Sequence, residues 1–236
     1  MADILFTLYL LVYSPLSSLW RSRHPASSKP SLPPLRSYWR QGRYVLVLLC
    51  VFLPVAWLGG YSAAELGLGP PLSQGGLWGL AAVGCLLLVA HLLGKRHERK
   101  ITPEERVKLD DKLRDLPFAA PRTRTETLAC LVTMVGMTTA WELLYRGYLL
   151  LVLTPVTGLP LAIALAAVSY GAGHGYKNPK QFFGSIASAF AFTIGYAVSG
   201  NLWWLIVLHA AVPVAMVYAA RKVAPSPSPS TDVVKV

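Results

Sequence analysis

The sequence predicts an all-α fold, a polytopic membrane bundle of about seven transmembrane helices. Of its 236 residues, 54% are hydrophobic and only 14% are charged, whereas about a quarter of a soluble domain is charged. Seven long apolar runs divide the chain, and most approach the ~20 residues that cross a bilayer as a helix. Such uniform runs do not fit barrel strands, which alternate and span about ten residues.

The apolar runs define the predicted spans and the domain organisation. They cover residues 4–20, 44–58, 77–93, 127–153, 159–170, 182–198 and 202–220. The predicted units are three N-terminal spans, a cytoplasmic loop with a surface helix, a core of four spans and a disordered tail rich in Pro and Ser. Their bounds are 1–94, 95–119, 120–221 and 222–236. In the loop, Thr102, Pro103 and Glu105 are typical of a helix start, and Val107, Leu109, Leu113 and Leu116 follow among charges.

The net charge of +11 is placed as in a membrane protein. With seven spans, 21 of the 22 Lys and Arg residues fall on one side, which the positive-inside rule assigns to the cytoplasm. We therefore expect the N-terminus outside and the C-terminus in the cytoplasm, most simply in a bacterial inner membrane. The expected partner is the lipid bilayer, and no nucleic acid is expected, because the basic residues form no stripe of their own. Asp3 replaces the positive start of a signal peptide, so the first run should remain as an anchor.

Few ionisable groups lie inside the predicted spans, and each is costly in a membrane. Glu142 and Arg146 are four residues apart in the fourth run, so they share a helix face and can pair. His174 closes the fifth run, and His209 lies in the seventh. Taken singly, the pair is a structural ion pair and each histidine a packing or loop residue. His91, near the end of the third run, is interpreted as an interfacial histidine.

Taken together, one carboxylate and two imidazoles on three helices can converge in a bundle core. A glutamate with one histidine could activate water, while the second histidine stabilises an oxyanion. Glu142, His174 and His209 could instead bind a catalytic zinc or another divalent metal. They could also line the ion path of a small transporter, although the sequence contains no inverted repeat.

Three motifs in order resemble the CPBP family of intramembrane metalloproteases. This family groups type II CAAX prenyl endopeptidases with bacteriocin-processing, Abi-like and self-immunity proteins. Glu142 and Arg146 match the end of the first motif, Glu-Glu-x-x-x-Arg. Tyr170 and His174 resemble the second motif, an aromatic residue ahead of a histidine. His209 opens the third motif, His-x-x-x-Asn or Asp.

The resemblance implies an intramembrane endopeptidase that hydrolyses a peptide bond of a membrane-associated substrate, with prenylated peptides among the expected substrates. It implies a catalytic role for Glu142, His174, His209 and Arg146, and a substrate-binding role for Tyr170. In this scheme Glu142 activates or positions water with His174, His209 stabilises the oxyanion, and Arg146 orients Glu142. The metal stays open: zinc, another divalent metal or none.

Two positions depart from the family pattern within residues 120–218, the part that the resemblance covers. The first Glu of the family is Trp141 here, and the last Asn or Asp is Pro213. Neighbouring helix positions point about 100° apart, so Glu142 cannot replace the missing Glu unless the helix is distorted. If Glu142 bound a metal, no intramembrane carboxylate would remain as general base. A catalytically inactive CPBP-like scaffold or immunity protein is therefore the alternative hypothesis.

Overall fold

The computed structural model describes residues 1–24, 33–69, 73–114 and 120–223. Within these ranges the regular structure is entirely helical. The helices are α1 Ala2–Arg23, α2 Pro34–Leu58, α3 Gln74–Glu98, α4 Pro103–Arg114, α5 Arg124–Thr157, α6 Leu159–Gly173, α7 Pro179–Ser199 and α8 Trp203–Val223. Two of them contain π-helical segments, Tyr9–Tyr13 in α1 and Leu143–Tyr148 in α5.

The helices confirm the predicted polytopic bundle, and the protein is an integral membrane protein. Six helices of the described ranges are long and apolar enough to cross a bilayer, and α6 is a shorter apolar helix. Each predicted run coincides with one helix, but most helices extend beyond their run. The largest difference is in α2, which begins at Pro34 rather than near residue 44. Its first turns carry Arg36, Arg40 and Arg43, because a helix can continue past its apolar stretch into the interface.

The loop helix α4 begins where its capping residues predict. The Thr102 hydroxyl accepts a hydrogen bond from the Glu105 amide (3.3 Å), and the Glu105 carboxylate accepts one from the Thr102 amide (3.0 Å). This reciprocal pair is a capping box. Two predicted features, Leu116 and the tail from residue 224 onward, lie outside the described residues.

Hydrogen bonds between connections define the two ends of the bundle. At one end, the Tyr176 amide donates to Ser22 Oγ (2.9 Å), which links the loop after α6 to the last turn of α1. At the other end, the Leu202 amide donates to the Gly67 carbonyl (2.9 Å), which links the connections after α2 and before α8. The ends of α1, α3, α6 and α8 lie at the first end of the bundle.

The two π segments meet across the bundle. A π turn releases backbone carbonyls from the regular helical ladder and is frequent at functional sites. In α1, the Leu10 carbonyl accepts hydrogen bonds from the Tyr145 hydroxyl (3.0 Å) and from Ser169 Oγ (2.8 Å). Tyr145 belongs to the π segment of α5, and Ser169 to α6. These bonds hold α1 against the two helices that supply most of the candidate site residues.

The short helix α6 ends just before His174. Its 15 residues span about 22 Å at 1.5 Å per residue, less than the ~30 Å hydrocarbon core. His174 is the residue that caps the end of this helix, and it is exposed. Gly175 then turns the chain with a φ of +74°, where glycine is favoured. A Cβ on Gly175 would lie only 3.2 Å from Ser22 Cβ.

We predict that Tyr145→Phe destabilises the bundle by about 1 kcal/mol, because it removes one hydrogen bond to the Leu10 carbonyl. Thermal unfolding in detergent micelles should show a loss of about 2–4 °C in Tm. Tyr218→Phe is the matched control, since Tyr218 is 53% exposed on α8. Equal Tm values for the two variants would show that the inter-helix bond contributes nothing.

Candidate active site

Glu142 and Arg146 form a fully buried ion pair at the π segment of α5. Arg146 Nη1 donates to Glu142 Oε1 at 3.2 Å, and both side chains are 0% exposed. The Arg146 guanidinium also lies 3.8 Å from the ring centre of Tyr170, a cation–π arrangement that joins α5 to α6. The pairing expected from their i, i+4 spacing is therefore present.

Glu142 also connects α5 to α8. His209 Nδ1 donates to Glu142 Oε1 at 2.5 Å, which leaves Nε2 as the imidazole nitrogen that does not face the carboxylate. The Tyr170 hydroxyl lies 3.4 Å from Nε2. The His209 side chain is 25% exposed, whereas the Glu142 side chain is fully buried. The histidine is therefore the member of this pair that an incoming molecule can reach.

The Nε2 atom of His174 can accept a hydrogen bond. Its Nδ1 lies 3.1 Å from the backbone carbonyl of Tyr170. Because a carbonyl only accepts hydrogen bonds, Nδ1 carries the proton of the neutral ring and Nε2 is left as an acceptor. The imidazole also packs edge-on to the Tyr170 ring, with centroids 4.9 Å apart. Tyr170 thus positions both histidines through different groups.

A cavity of about 300 Å³ lies in front of these groups. His174, His209 and Tyr170 line it, whereas Glu142 and Arg146 are not among the lining residues. The rest of the wall is mixed polar and apolar, and comes from α1, α2, α5, α6 and α8: Ser14, Ser18, Arg21, Tyr44, Met134, Met137, Thr138, Trp141, Tyr145, Gly173 and Pro213. Its volume is at the lower end for a small-ligand pocket.

The five predicted site residues come together, but in two layers. The imidazoles and Tyr170 face the cavity, and the Glu142–Arg146 pair lies behind them. Trp141, one position before Glu142, occupies the wall itself, as the offset of about 100° between neighbouring helix positions requires. The π segment begins only after Glu142, and the carboxylate stays behind the wall. Glu142 therefore contacts His209, and not a molecule in the cavity.

The metal site that the resemblance left open does not fit this arrangement. Across the ranges that the structure describes, no three His, Cys, Asp or Glu side chains are grouped so that they could bind one metal ion. Glu142 Oε1 is engaged by His209 and Arg146, and His174 turns Nδ1 to a backbone carbonyl. Glu142, His174 and His209 are thus not arranged as a three-ligand zinc set.

The contribution of α1 to the cavity is absent from the sequence prediction. Ser14, Ser18 and Arg21 line the cavity. Their i, i+4, i+7 spacing places them on one face of a helix, and this spacing was a signal that could have identified them. Tyr145 was also missed, although it lies one turn after Trp141 on the same helix face.

Residues 123–215 match the family model described as Type II CAAX prenyl endopeptidase Rce1-like. The match covers less than half of the chain, and this segment is similar to the Rce1-like family. The match begins at the cap of α5 and ends within α8, so it contains every predicted site residue and none of α1. At the level of the family, the Rce1-like match supports a CAAX-type intramembrane protease and confirms the motif resemblance. No curated protein and no solved structure matches the chain significantly.

We predict that Glu142→Gln destabilises the protein by about 3–5 kcal/mol, because it leaves the Arg146 charge buried without compensation. Glu98→Gln makes the same change on an exposed residue of α3 and should have little effect. Unfolding in detergent micelles measures both.

The double variant Glu142→Gln with Arg146→Gln isolates the pairing. It should lose less stability than the two single losses together, because the surviving charge is removed as well. Strictly additive losses would mean that the two side chains do not stabilise each other.

Proposed function

We propose that this Rce1-like chain is an intramembrane endopeptidase that hydrolyses a peptide bond of a membrane-associated substrate, prenylated peptides included. One observation carries the proposal: imidazoles from α6 and α8 line the same cavity, and a buried carboxylate holds one of them. The cavity lies within a helical membrane bundle, where exclusion of bulk water strengthens electrostatic interactions with a substrate.

In the proposed reaction, His174 Nε2 accepts a proton from water as the water oxygen attacks the scissile carbonyl. His209, in its charged form, donates Nε2–H to the developing oxyanion. Glu142 compensates the charge on His209, and Arg146 keeps Glu142 in place. The tetrahedral intermediate then collapses, the C–N bond breaks, and the proton held by His174 passes to the leaving amine. Tyr170 positions both rings.

The positive-inside pattern supports a location in a bacterial inner membrane, with the N-terminus outside and the C-terminus in the cytoplasm. Arg21 lines the cavity near the cytoplasmic end of α1. A substrate that reaches the cavity from the cytoplasmic leaflet therefore meets Arg21 before it reaches the histidines.

The decisive test is cleavage by purified protein in phosphatidylcholine nanodiscs. A library of membrane peptides, farnesylated ones included, is incubated with the protein and its products are identified by mass spectrometry. His174→Gln should lower the cleavage rate by about 10²–10⁴-fold, because an amide cannot take up the proton of water. His91→Gln is the matched control, the same substitution on an exposed residue of α3, and should cut like the wild type. Undiminished cleavage by His174→Gln would refute the mechanism.

A second function is favoured by one specific observation. Trp141 and Pro213 line the cavity at the two positions where the family motifs have a carboxylate and an amide or acid. The Trp141 indole cannot take up a proton, and the Pro213 ring has no hydrogen-bond donor for an oxyanion. A protein that binds membrane peptides in this cavity without cutting them, as a scaffold or immunity protein, is therefore the alternative proposal.

We predict that Trp141→Glu increases cleavage about 100-fold or more, because it adds a general base to the cavity wall. Trp141→Gln is the control, since it opens the same space without a base. Cleavage by Trp141→Glu from an inactive wild type would support the non-catalytic function for the natural chain. Equal rates for the Glu and Gln variants would exclude a catalytic position for residue 141.

A further inference from the structure

The α1 wall of the cavity carries three polar side chains, two of which are already engaged. Ser18 Oγ donates to the Gly173 carbonyl (2.6 Å). Ser14 Oγ accepts a long hydrogen bond from the Tyr145 hydroxyl (3.4 Å). These bonds fix α1 against α5 and α6. Arg21, the third, lines the cavity from the last turn of α1.

Arg21 is the lining residue of the cavity whose side chain is always charged. No carboxylate lines the cavity, and the other lining groups are neutral side chains and the two imidazoles. Glu142 is sealed behind the wall and engaged by two partners. Within the part of the chain that the structure describes, Arg21 makes no hydrogen bond or ion pair. The cavity therefore attracts an anionic group to a free guanidinium.

We infer that Arg21 binds a carboxylate of the peptide substrate and so determines which peptides the cavity accepts. This inference rests on the proposed function. A guanidinium matches a planar carboxylate through paired hydrogen bonds, and these are stronger than bonds between neutral groups.

The position of Arg21 indicates on which side of His174 that carboxylate lies. Ser18 contacts Gly173, the residue before His174, so Ser18 lies near the level of His174. Arg21 lies three residues further along α1, about 4.5 Å toward the basic end. The carboxylate that Arg21 binds therefore lies on the basic side of His174 in the same cavity. A terminal carboxylate and an acidic side chain could both occupy this position.

Binding to dansyl-labelled farnesylated tetrapeptides tests the inference without requiring cleavage. Fluorescence anisotropy in phosphatidylcholine nanodiscs compares three peptides: a free C-terminal carboxylate, a C-terminal amide, and the amide with Asp at the penultimate position. Arg21→Gln should weaken binding of the carboxylate peptide about tenfold, in line with the loss of a charged hydrogen bond. Binding of the plain amide should not change, and Arg21→Lys should recover part of the loss.

Arg23→Gln is the matched control, because Arg23 is also exposed in the last turn of α1 but does not line the cavity. It should bind all three peptides like the wild type. Tighter binding of the Asp peptide than of the plain amide by wild type would extend the preference to acidic side chains. An equal effect of Arg21→Gln on all peptides, or none, would overturn the inference.

The binding experiment can reject the role of Arg21 without rejecting the peptidase, and the reverse also holds. A wild type that prefers the carboxylate peptide without cutting it would retain the role of Arg21 and reject the peptidase. Cleavage with no preference for a carboxylate would retain the peptidase and reject the role of Arg21.

Discussion

The structure depends on the burial of two opposite charges, Glu142 and Arg146, in a bundle surrounded by lipid. Each charge alone is expensive in this environment, and each is stabilised by a neighbour on another helix. Glu142 holds His209 of α8, and Arg146 lies over the Tyr170 ring of α6. The pair therefore constrains three helices at one depth, so the same contacts that make the charges tolerable also assemble the site.

Positions 141 and 142 have different surroundings because they face different directions. The carboxylate that orients His209 faces away from the cavity, so it is protected from water and from substrate. The neighbouring position 141 faces the cavity, because one step along a helix turns the side chain by about 100°. The motif that this segment resembles has glutamates at both positions. This chain retains the supporting carboxylate and has an indole at the position that faces the cavity.

The sequence predicts the bundle well because long apolar runs and one-sided charge are direct consequences of the bilayer. It also predicts the gathering of the ionisable residues, since Glu142, Arg146, His174 and His209 have few other reasons to lie in a membrane. It does not predict the π segments, because a π turn has no characteristic composition. The part of α1 in the cavity depends on Tyr145 and Ser169 reaching the Leu10 carbonyl. The spacing of Ser14, Ser18 and Arg21 marks one face of α1, but it does not show that this helix contacts residues more than 130 positions away.

The replacement at position 141 changes the electrostatics of the cavity as well as its catalytic groups. A glutamate there would offset the charge of Arg21, whereas the indole leaves the cavity without an anion among its lining residues. In the proposed function, the Arg21 guanidinium and the charged form of His209 then favour a negatively charged group, whether it is a substrate carboxylate or an oxyanion that forms during hydrolysis. The side chain at position 141 therefore sets both the groups on the cavity wall that could activate water and the net charge that the cavity presents.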